Sequence, residues 1–470
     1  MKILKSFSLM MIMMIQLTAA AQDTLKKLSE EQFLEMVKKY HPVARQADIV
    51  VEKAKADVTI ARGMFDPTLQ NEASQKTFDG IDYYNYNRPS VNIPTWFGVE
   101  LSAGLEYLSG NRTDPMDTKG ESSYFGISVP LGKNLLMDKR RAALQSAKIF
   151  RTASVTEKRS MLNNLFLDAL TGYWNWVKQY QVYRIMDEAV AVNEKRLALV
   201  RTAYLWGDRP AIDTTEALAQ LQQFELLRSQ ALLDFRNSGL ELSVYVWANS
   251  GMPVELPYDT KPAEELAAMN PKTIQVPELN YLLETARKNH PELLLYNYKL
   301  DVLGIEKKLK FQEQLPTINF RYNQLARGYD VWKTATSPLL ENNFQYGFYM
   351  SIPLRLSQGR GEYKKAKLKI EETKLQKNQK MVQVEAKVKI YFNELLTLQN
   401  QVSLQEKAWK NYVALQQGEE IRLRAGESSL FLVNARENKT LEGLQKLQEL
   451  KAKCYITHIK LKWASGLLVQ

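Results

Sequence analysis

Hydrophobic positions along the chain follow two patterns, and the more extensive one is helical. From Lys139 to Trp206 there is no proline and one glycine, Gly172, and apolar residues recur at spacings of three and four. A second such stretch runs from Gly361 to Ala425. At a rise of about 1.5 Å per residue, each stretch predicts a helix of roughly 100 Å. Helices in compact globules average only about 11 to 12 residues, so this pattern excludes an ordinary globular domain.

Each long stretch ends at a short turn that contains glycine, and a second helical segment follows. The turns are 206–210 and 424–428. Glycine readily adopts the positive φ that ends a helix sharply. The pattern therefore predicts two antiparallel helical hairpins, over about 139–249 and 361–467.

Two other segments, about 67–131 and 316–354, alternate apolar with small or polar residues, which predicts β-hairpins. Such alternation with aromatic residues near the strand ends is typical of strands between lipid and a wet lumen. A soluble sheet packed on the helices is the alternative. The first segment holds three strand candidates, 68–77, 98–109 and 124–131. Because both ends of a membrane hairpin return to the same side, one candidate is expected not to span.

Short matches at constant spacing indicate an internal duplication. The pair His-Pro at 41–42 recurs at 290–291, an offset of 249 residues. The strand-ending residues 129–131 and 352–354 match at an offset of 223. The first β segment therefore carries about 26 more residues than the second.

The first 21 residues have the three parts of a secretory signal peptide. Lys2 and Lys5 precede an apolar run from Phe7 to Leu17, and an A-x-A site places cleavage after Ala21. A membrane anchor is the alternative, but the apolar run is shorter than the roughly 20 residues that a spanning helix requires. The mature chain then divides into a first repeat at 22–249, a proline-rich linker at 250–276 and a second repeat at 277–470.

Composition and charge limit the kinds of function that the chain can have. Loss of Lys2 and Lys5 reduces the net charge of the 470-residue chain from +11 to +9, and the remaining lysines are spread along helical segments. Export and this spread favour a solvated basic surface over a nucleic-acid partner. The single cysteine, Cys454, cannot form an intrachain disulfide. The sequence holds no catalytic, nucleotide-binding or zinc motif, so we expect no enzymatic activity, no cofactor and no metal site.

Oligomerisation follows from both patterns. Two β-hairpins cannot close a membrane barrel alone, because known barrels need about eight strands or more and an open edge is not tolerated in lipid. Helical hairpins of this length also require lateral partners to cover their apolar seams.

The order of elements, the duplicated His-Pro pair, the strand ends at 129–131 and 352–354 and the turn at 426–435 resemble the TolC family of outer-membrane efflux proteins. The resemblance covers about residues 25–467. It implies a mostly α-helical homotrimer in which four strands from each subunit build one 12-stranded outer-membrane barrel above a periplasmic helical barrel. It further implies a passive exit duct of a tripartite efflux or type I secretion system. Its partners would be a periplasmic adaptor protein, an inner-membrane pump and outer-membrane lipid. A secreted, soluble coiled-coil scaffold or adhesin without a pore is the alternative.

The resemblance also implies that the two helical turns form the periplasmic tip, where the adaptor docks and the pore is gated. Asp213 matches an aspartate that latches the first turn, whereas Leu432 and Ala435 stand where some members carry inward aspartates, which argues against a cation-binding ring. Helix capping is the alternative role for Asp208, Asp213 and Glu427. The candidate tip residues are Gly207, Asp208, Arg209, Asp213, Thr214, Gly426, Glu427, Ser428, Ser429 and Leu432.

Aromatic residues of the strand segments would form girdles at the lipid interface. Ordinary strand packing is the alternative for the same residues. The candidates are Trp96, Tyr107, Tyr124, Phe125, Tyr346, Phe348 and Tyr349.

Overall fold

The structure is a computed structural model that describes residues 27–114, 117–249, 251–264, 266 and 268–469. The predicted signal peptide lies outside these residues. Most of the described chain is helical. The helices are α1 (Glu30–Tyr40), α2 (Pro42–Gly63), α3 (Lys139–Leu205), α4 (Ala211–Ser243), α5 (Leu279–Asn289), α6 (Pro291–Gln312), α7 (Val331–Thr336), α8 (Ser357–Arg424) and α9 (Leu430–Ala464).

The strands fall into two groups. A short strand, β1 (Lys27–Leu28), pairs in parallel with β6 (Lys261–Pro262). The other six form one sheet in the order β2-β3-β4-β5-β7-β8, in which every neighbouring pair is antiparallel. They are β2 (Thr68–Phe78), β3 (Ile81–Pro94), β4 (Glu100–Ser109), β5 (Gly120–Pro130), β7 (Thr317–Arg327) and β8 (Phe344–Ser351).

The chain divides into two compact units. Of the described residues, the helical unit contains 27–48, Arg159–His290 and 382–469, and the sheet unit contains Ile49–Lys158 and Pro291–Met381. Both sequence repeats therefore contribute to both units.

The two halves of the chain repeat the same helices. Helices α1 and α5 have 11 residues each, and α2 and α6 have 22 each. His41 and His290 end α1 and α5 in the same way, with backbone N–H groups that donate to carbonyls of Val37 and Ala286. Both histidines are buried, which fits a structural role.

Helices α3 and α8 are 67 and 68 residues long, as their unbroken patterns predicted. The returning helices α4 and α9 end at Ser243 and Ala464, slightly before the predicted 249 and 467. Within the described residues, each helix is either too short or too polar to cross a membrane.

Aromatic side chains form the core of the helical unit. Tyr173, Trp174 and Trp176 on α3 are almost completely buried, and the Trp174 ring stacks on Tyr455 with centroids 4.4 Å apart. Burial of one such side chain stabilises the fold by about 2 to 3 kcal/mol. The segment predicted as a linker joins this core through Leu266, whose backbone carbonyl accepts from Lys451 Nζ at 2.8 Å.

The sheet corrects the predicted strand count. The first β segment holds four strands, not one hairpin with a surplus candidate, because 68–78 is a strand and Ile81–Pro94 is an additional one. Four strands return both ends of the segment to the same side, so no candidate has to be left out. Pro89, which cannot donate to a ladder, and three asparagines hid this strand from pattern analysis.

The two faces of the sheet differ in polarity, as the alternation predicted. One face bounds a cavity of about 340 Å³ whose lining includes Glu72, Arg88, Glu100, Arg321 and Asn323. The other face is mostly apolar, and α7 packs on part of it, where Ser123 Oγ and Thr334 Oγ1 are 2.9 Å apart. Its apolar residues include Leu101, Ala103, Leu105, Phe125, Ile127, Val129, Ile318, Phe320, Phe348 and Met350.

Candidate functional site

The turns between α3 and α4 and between α8 and α9 are the predicted tips, and both lie in the helical unit. Gly207 and Gly426 have φ of 80° and 77°. At the first tip, Gly207 N–H donates to the Tyr204 carbonyl and Asp208 N–H donates to the Ala203 carbonyl, both at 2.9 Å. This pair of bonds is the Schellman motif, which satisfies the last carbonyls of a helix.

The second tip repeats the motif. Gly426 N–H donates to the Leu423 carbonyl at 3.2 Å, and Glu427 N–H donates to the Arg422 carbonyl at 2.9 Å. Glycine is required at both positions because a side chain is strained at positive φ.

Side chains hold the first tip through a local ion pair. Arg209 Nη1 donates to Asp213 Oδ2 at 3.0 Å, one helical turn away. Pro210 occupies the N-cap of α4 and supplies no side-chain cap, while Thr214 Oγ1 donates back to the Ala211 carbonyl. Asp213 therefore fixes Arg209 instead of capping the helix.

The second tip is held by hydroxyl groups. Ser429 is the N-cap of α9, and its Oγ accepts a hydrogen bond from Leu432 N–H. Ser428 Oγ donates to Glu419 Oε1 at 2.6 Å, and Glu419 is itself buried. Glu427 takes part through its backbone, so the capping role belongs to Ser429.

Apolar residues are exposed at both tips. Leu205 and Trp206 are 81% and 80% exposed beside the first turn, and Phe431 is 66% exposed beside the second. Leu432 is also exposed. Contiguous exposed apolar groups of this kind are typical of protein contact surfaces.

A buried polar cluster, which the sequence pattern did not predict, joins the two helical hairpins. Arg196 on α3 makes a bidentate ion pair with Glu437 on α9, with N–O distances of 2.5 and 3.1 Å. Asn193 donates to Glu437 and accepts from Arg196, and Asn434 accepts from Arg196. The available signal was polar residues on the otherwise apolar stripes of these helices.

A groove of about 470 Å³ lies between the helices beside this cluster. Arg196 and Arg209 line it together with Lys195 and Arg424, and Glu420 is the acidic residue of its lining. The groove thus connects the candidate tip residue Arg209 to the buried ion pair.

The candidate girdle residues separate onto different surfaces. Tyr107, Phe125, Tyr346 and Phe348 lie on the apolar face of the sheet, and Trp96 is exposed in the turn between β3 and β4.

Two girdle candidates lie on the polar face instead. Tyr124 lines the polar cavity, with the Arg88 guanidinium 4.8 Å from its ring centre. Tyr349 pairs with Asn319 on the same face. Adjacent strand residues point to opposite faces, so Tyr124 cannot share a lipid-facing girdle with Phe125, nor Tyr349 with Phe348.

Comparison with solved structures identifies the fold. The chain superimposes on the Campylobacter jejuni CmeC outer membrane channel with a TM-score of 0.65 and 14% sequence identity, covering 94% of this chain and 86% of that one. The chain has the fold of the outer-membrane channels. The open-state MtrE outer membrane channel of Neisseria gonorrhoeae gives a TM-score of 0.65 at 12% identity, covering 95% and 90% of the two chains. CusC, whose crystal structures concern folding and transmembrane channel formation, gives a TM-score of 0.66 at 14% sequence identity. The match covers 93% of this chain and 91% of CusC.

The resemblance drawn from the sequence is thereby confirmed at the level of the fold. No protein-family model and no curated protein sequence matches the chain.

Proposed function

We propose that the chain is the outer-membrane exit duct of a tripartite efflux or type I secretion system. Three copies form the duct, which passively conducts substrates delivered by an inner-membrane pump and a periplasmic adaptor. Its outer-membrane channel fold supports this function. The observation that carries the proposal is the two-faced sheet, polar on one side and apolar on the other.

The apolar face requires lipid. Tyr346, Phe348 and Met350 on β8 are each more than half exposed in the single chain. Strands of 8 to 14 residues include the roughly 9 to 11 that a tilted membrane strand needs. The polar face, with paired charges such as Arg88 and Glu106, suits a water-filled lumen.

The tips supply a docking surface in this function. The exposed Leu205, Trp206 and Phe431 and the adjoining basic groove offer an apolar contact with a charged margin. Such a surface fits the end of a periplasmic adaptor. Substitution of Gly207 or Gly426 by valine is expected to weaken adaptor docking or change gating while trimers persist.

The test is purification of the mature protein in detergent, followed by single-channel recording in a planar bilayer. We expect heat-modifiable trimers and discrete conductance steps. Recovery as a monomer in buffer without detergent would contradict the proposal and favour the soluble scaffold. Detergent-extracted trimers that never conduct, even after Asp213→Asn substitution at the tip, would also contradict a duct.

A further inference from the structure

The outermost strands of the sheet, β2 and β8, each pair on one side only within the described chain. Every residue of both strands is exposed in the single chain. Their free edges carry backbone N–H and C=O groups that water cannot reach in hydrocarbon, where each unsatisfied group is costly. Both edges therefore require a strand partner in the membrane.

We propose that β2 of one copy pairs with β8 of the next, so that each copy adds six strands to a closed membrane wall. Three copies then supply three times six strands, which makes 18 instead of the 12 that the family resemblance implies. This inference rests on the proposed function, in which three copies form one duct.

Strand direction is compatible with this pairing. All neighbouring strands in the sheet are antiparallel and their number is even, so β2 and β8 run in opposite directions. Copies related by rotation about the barrel axis therefore bring the two edges together as an antiparallel pair. That is the arrangement found in outer-membrane barrels.

The faces of the two edge strands also match. On β2, Gln70 and Glu72 line the polar cavity. On β8, Gln345 accepts a hydrogen bond from the cavity residue Asn323 at 3.3 Å. Both edges thus present polar side chains to the same side, and the proposed pairing continues the lumen face of one copy into that of the next.

The hairpin formed by β2 and β3 is part of this wall, because β3 pairs with the edge of β4. The ladder between them extends from Pro94 opposite Glu100 to Asn85 opposite Ser109. Across it, Arg88 Nε lies 2.8 Å from Glu106 Oε1. A neighbouring β8 cannot pair with β4 while these bonds are in place.

The outward side of the hairpin agrees with a place in the wall. Leu69, Val91 and Ile93 continue the apolar face near the turn between β3 and β4. Asn87 lies opposite Tyr107 near the far end of β4, where a strand of 10 residues leaves the hydrocarbon. Asn85 and Asn87 thus fall towards the outer interface, whereas Asn71, opposite Pro89, lies nearer the middle of the outward side.

The hairpin accounts for the unequal repeats. Strands β2 and β3 occupy Thr68–Pro94, close to the 26 residues by which the first β segment exceeds the second. Barrel diameter grows about linearly with strand number, so this insertion would make the outer-membrane pore about half as wide again.

Disulfide cross-linking of the full chain tests the proposed pairing of β2 in one copy with β8 in the next. In a Cys454→Ala background, Gln70→Cys on β2 is combined in turn with Gln345→Cys, Gly347→Cys or Tyr349→Cys on β8. These three positions cover neighbouring registers on the polar face. We expect at least one combination to give reducible covalent trimers from the detergent-solubilised assembly.

Ser102→Cys on β4 with the same three β8 variants is the matched control, because Ser102 shares the polar face but its strand edge is covered by β3. Covalent trimers from the β4 set would overturn the inference, since the wall would then contain four strands per copy. Conducting trimers without cross-links in either set would overturn it too and leave the proposed function intact. A monomer soluble without detergent would instead overturn the proposed function.

Discussion

The two hairpin tips share one backbone turn but are held by different side chains. Both turns place glycine at a φ near 80° and use the same pair of Schellman hydrogen bonds. The first tip is fixed by the partly buried ion pair Arg209–Asp213, whereas the second uses the Ser429 cap and the Ser428 bond to the buried Glu419. The comparison shows that the duplication preserved the backbone geometry and left the side-chain contacts free to diverge.

The largest expected effect on stability comes from the buried ion pair between Arg196 and Glu437. Glu437→Ala leaves the Arg196 guanidinium without its bidentate partner in a site where both side chains are at most 15% exposed. Removal of one partner from a buried pair costs about 3 to 5 kcal/mol. Denaturant unfolding of the detergent-solubilised protein should show this loss. The control is Glu442→Ala, which breaks the exposed Lys439–Glu442 pair and should cost under about 0.5 kcal/mol.

Valine at the turn glycines tests the shared geometry. Gly207→Val and Gly426→Val should each lower the free energy of unfolding by about 1 to 2 kcal/mol, because both turns impose positive φ on a side chain that otherwise meets open space. The control, Gly418→Ala in the interior of α8, should stabilise by about 0.5 to 1 kcal/mol. Clearly unequal losses at the two turns would show that the tips do not share one conformation.

Loss of the Ser429 cap should affect the second tip and leave the first unchanged. Ser429→Ala removes the side-chain acceptor for Leu432 N–H and should destabilise α9 by about 1 kcal/mol. Ser429→Thr keeps the hydroxyl and should restore most of that stability. Protease cleavage at the second turn should increase in the alanine variant, with the first turn unaffected. Equal cleavage at both turns would contradict independent side-chain support.

The smallest expected effect is at the first tip. Asp213→Asn removes the Arg209 ion pair, and surface pairs one helical turn apart are worth about 0.3 to 0.5 kcal/mol. The difference from the unchanged protein should shrink at 1 M salt, where the Debye length is only about 3 Å. A large loss that persists in salt would show that Asp213 does more than hold Arg209.

Elements dominated by one type of interaction were predictable from the sequence. Helices α3 and α8 follow from uninterrupted helical periodicity, and the tip turns follow from Gly207 and Gly426, since few other residues tolerate that φ. Strand β3 was not predictable in this way, because Pro89 and the asparagines weaken its strand pattern and the ladders to β2 and β4 hold it in place. Tyr124 and Tyr349, expected at the lipid interface, lie on the polar face, because adjacent strand residues alternate between faces.

The sequence alone determined the helical hairpins, the duplication and the alternating strands, because these depend on residues close together in the chain. Tertiary structure decided which residues meet across long separations. Arg196 and Glu437 are 241 residues apart, and the sheet joins β5 to β7 across the whole central part of the chain. Such contacts depend on the register of packed elements, which local periodicity does not encode. For the same reason, only the assembled sheet revealed six strands and two free edges.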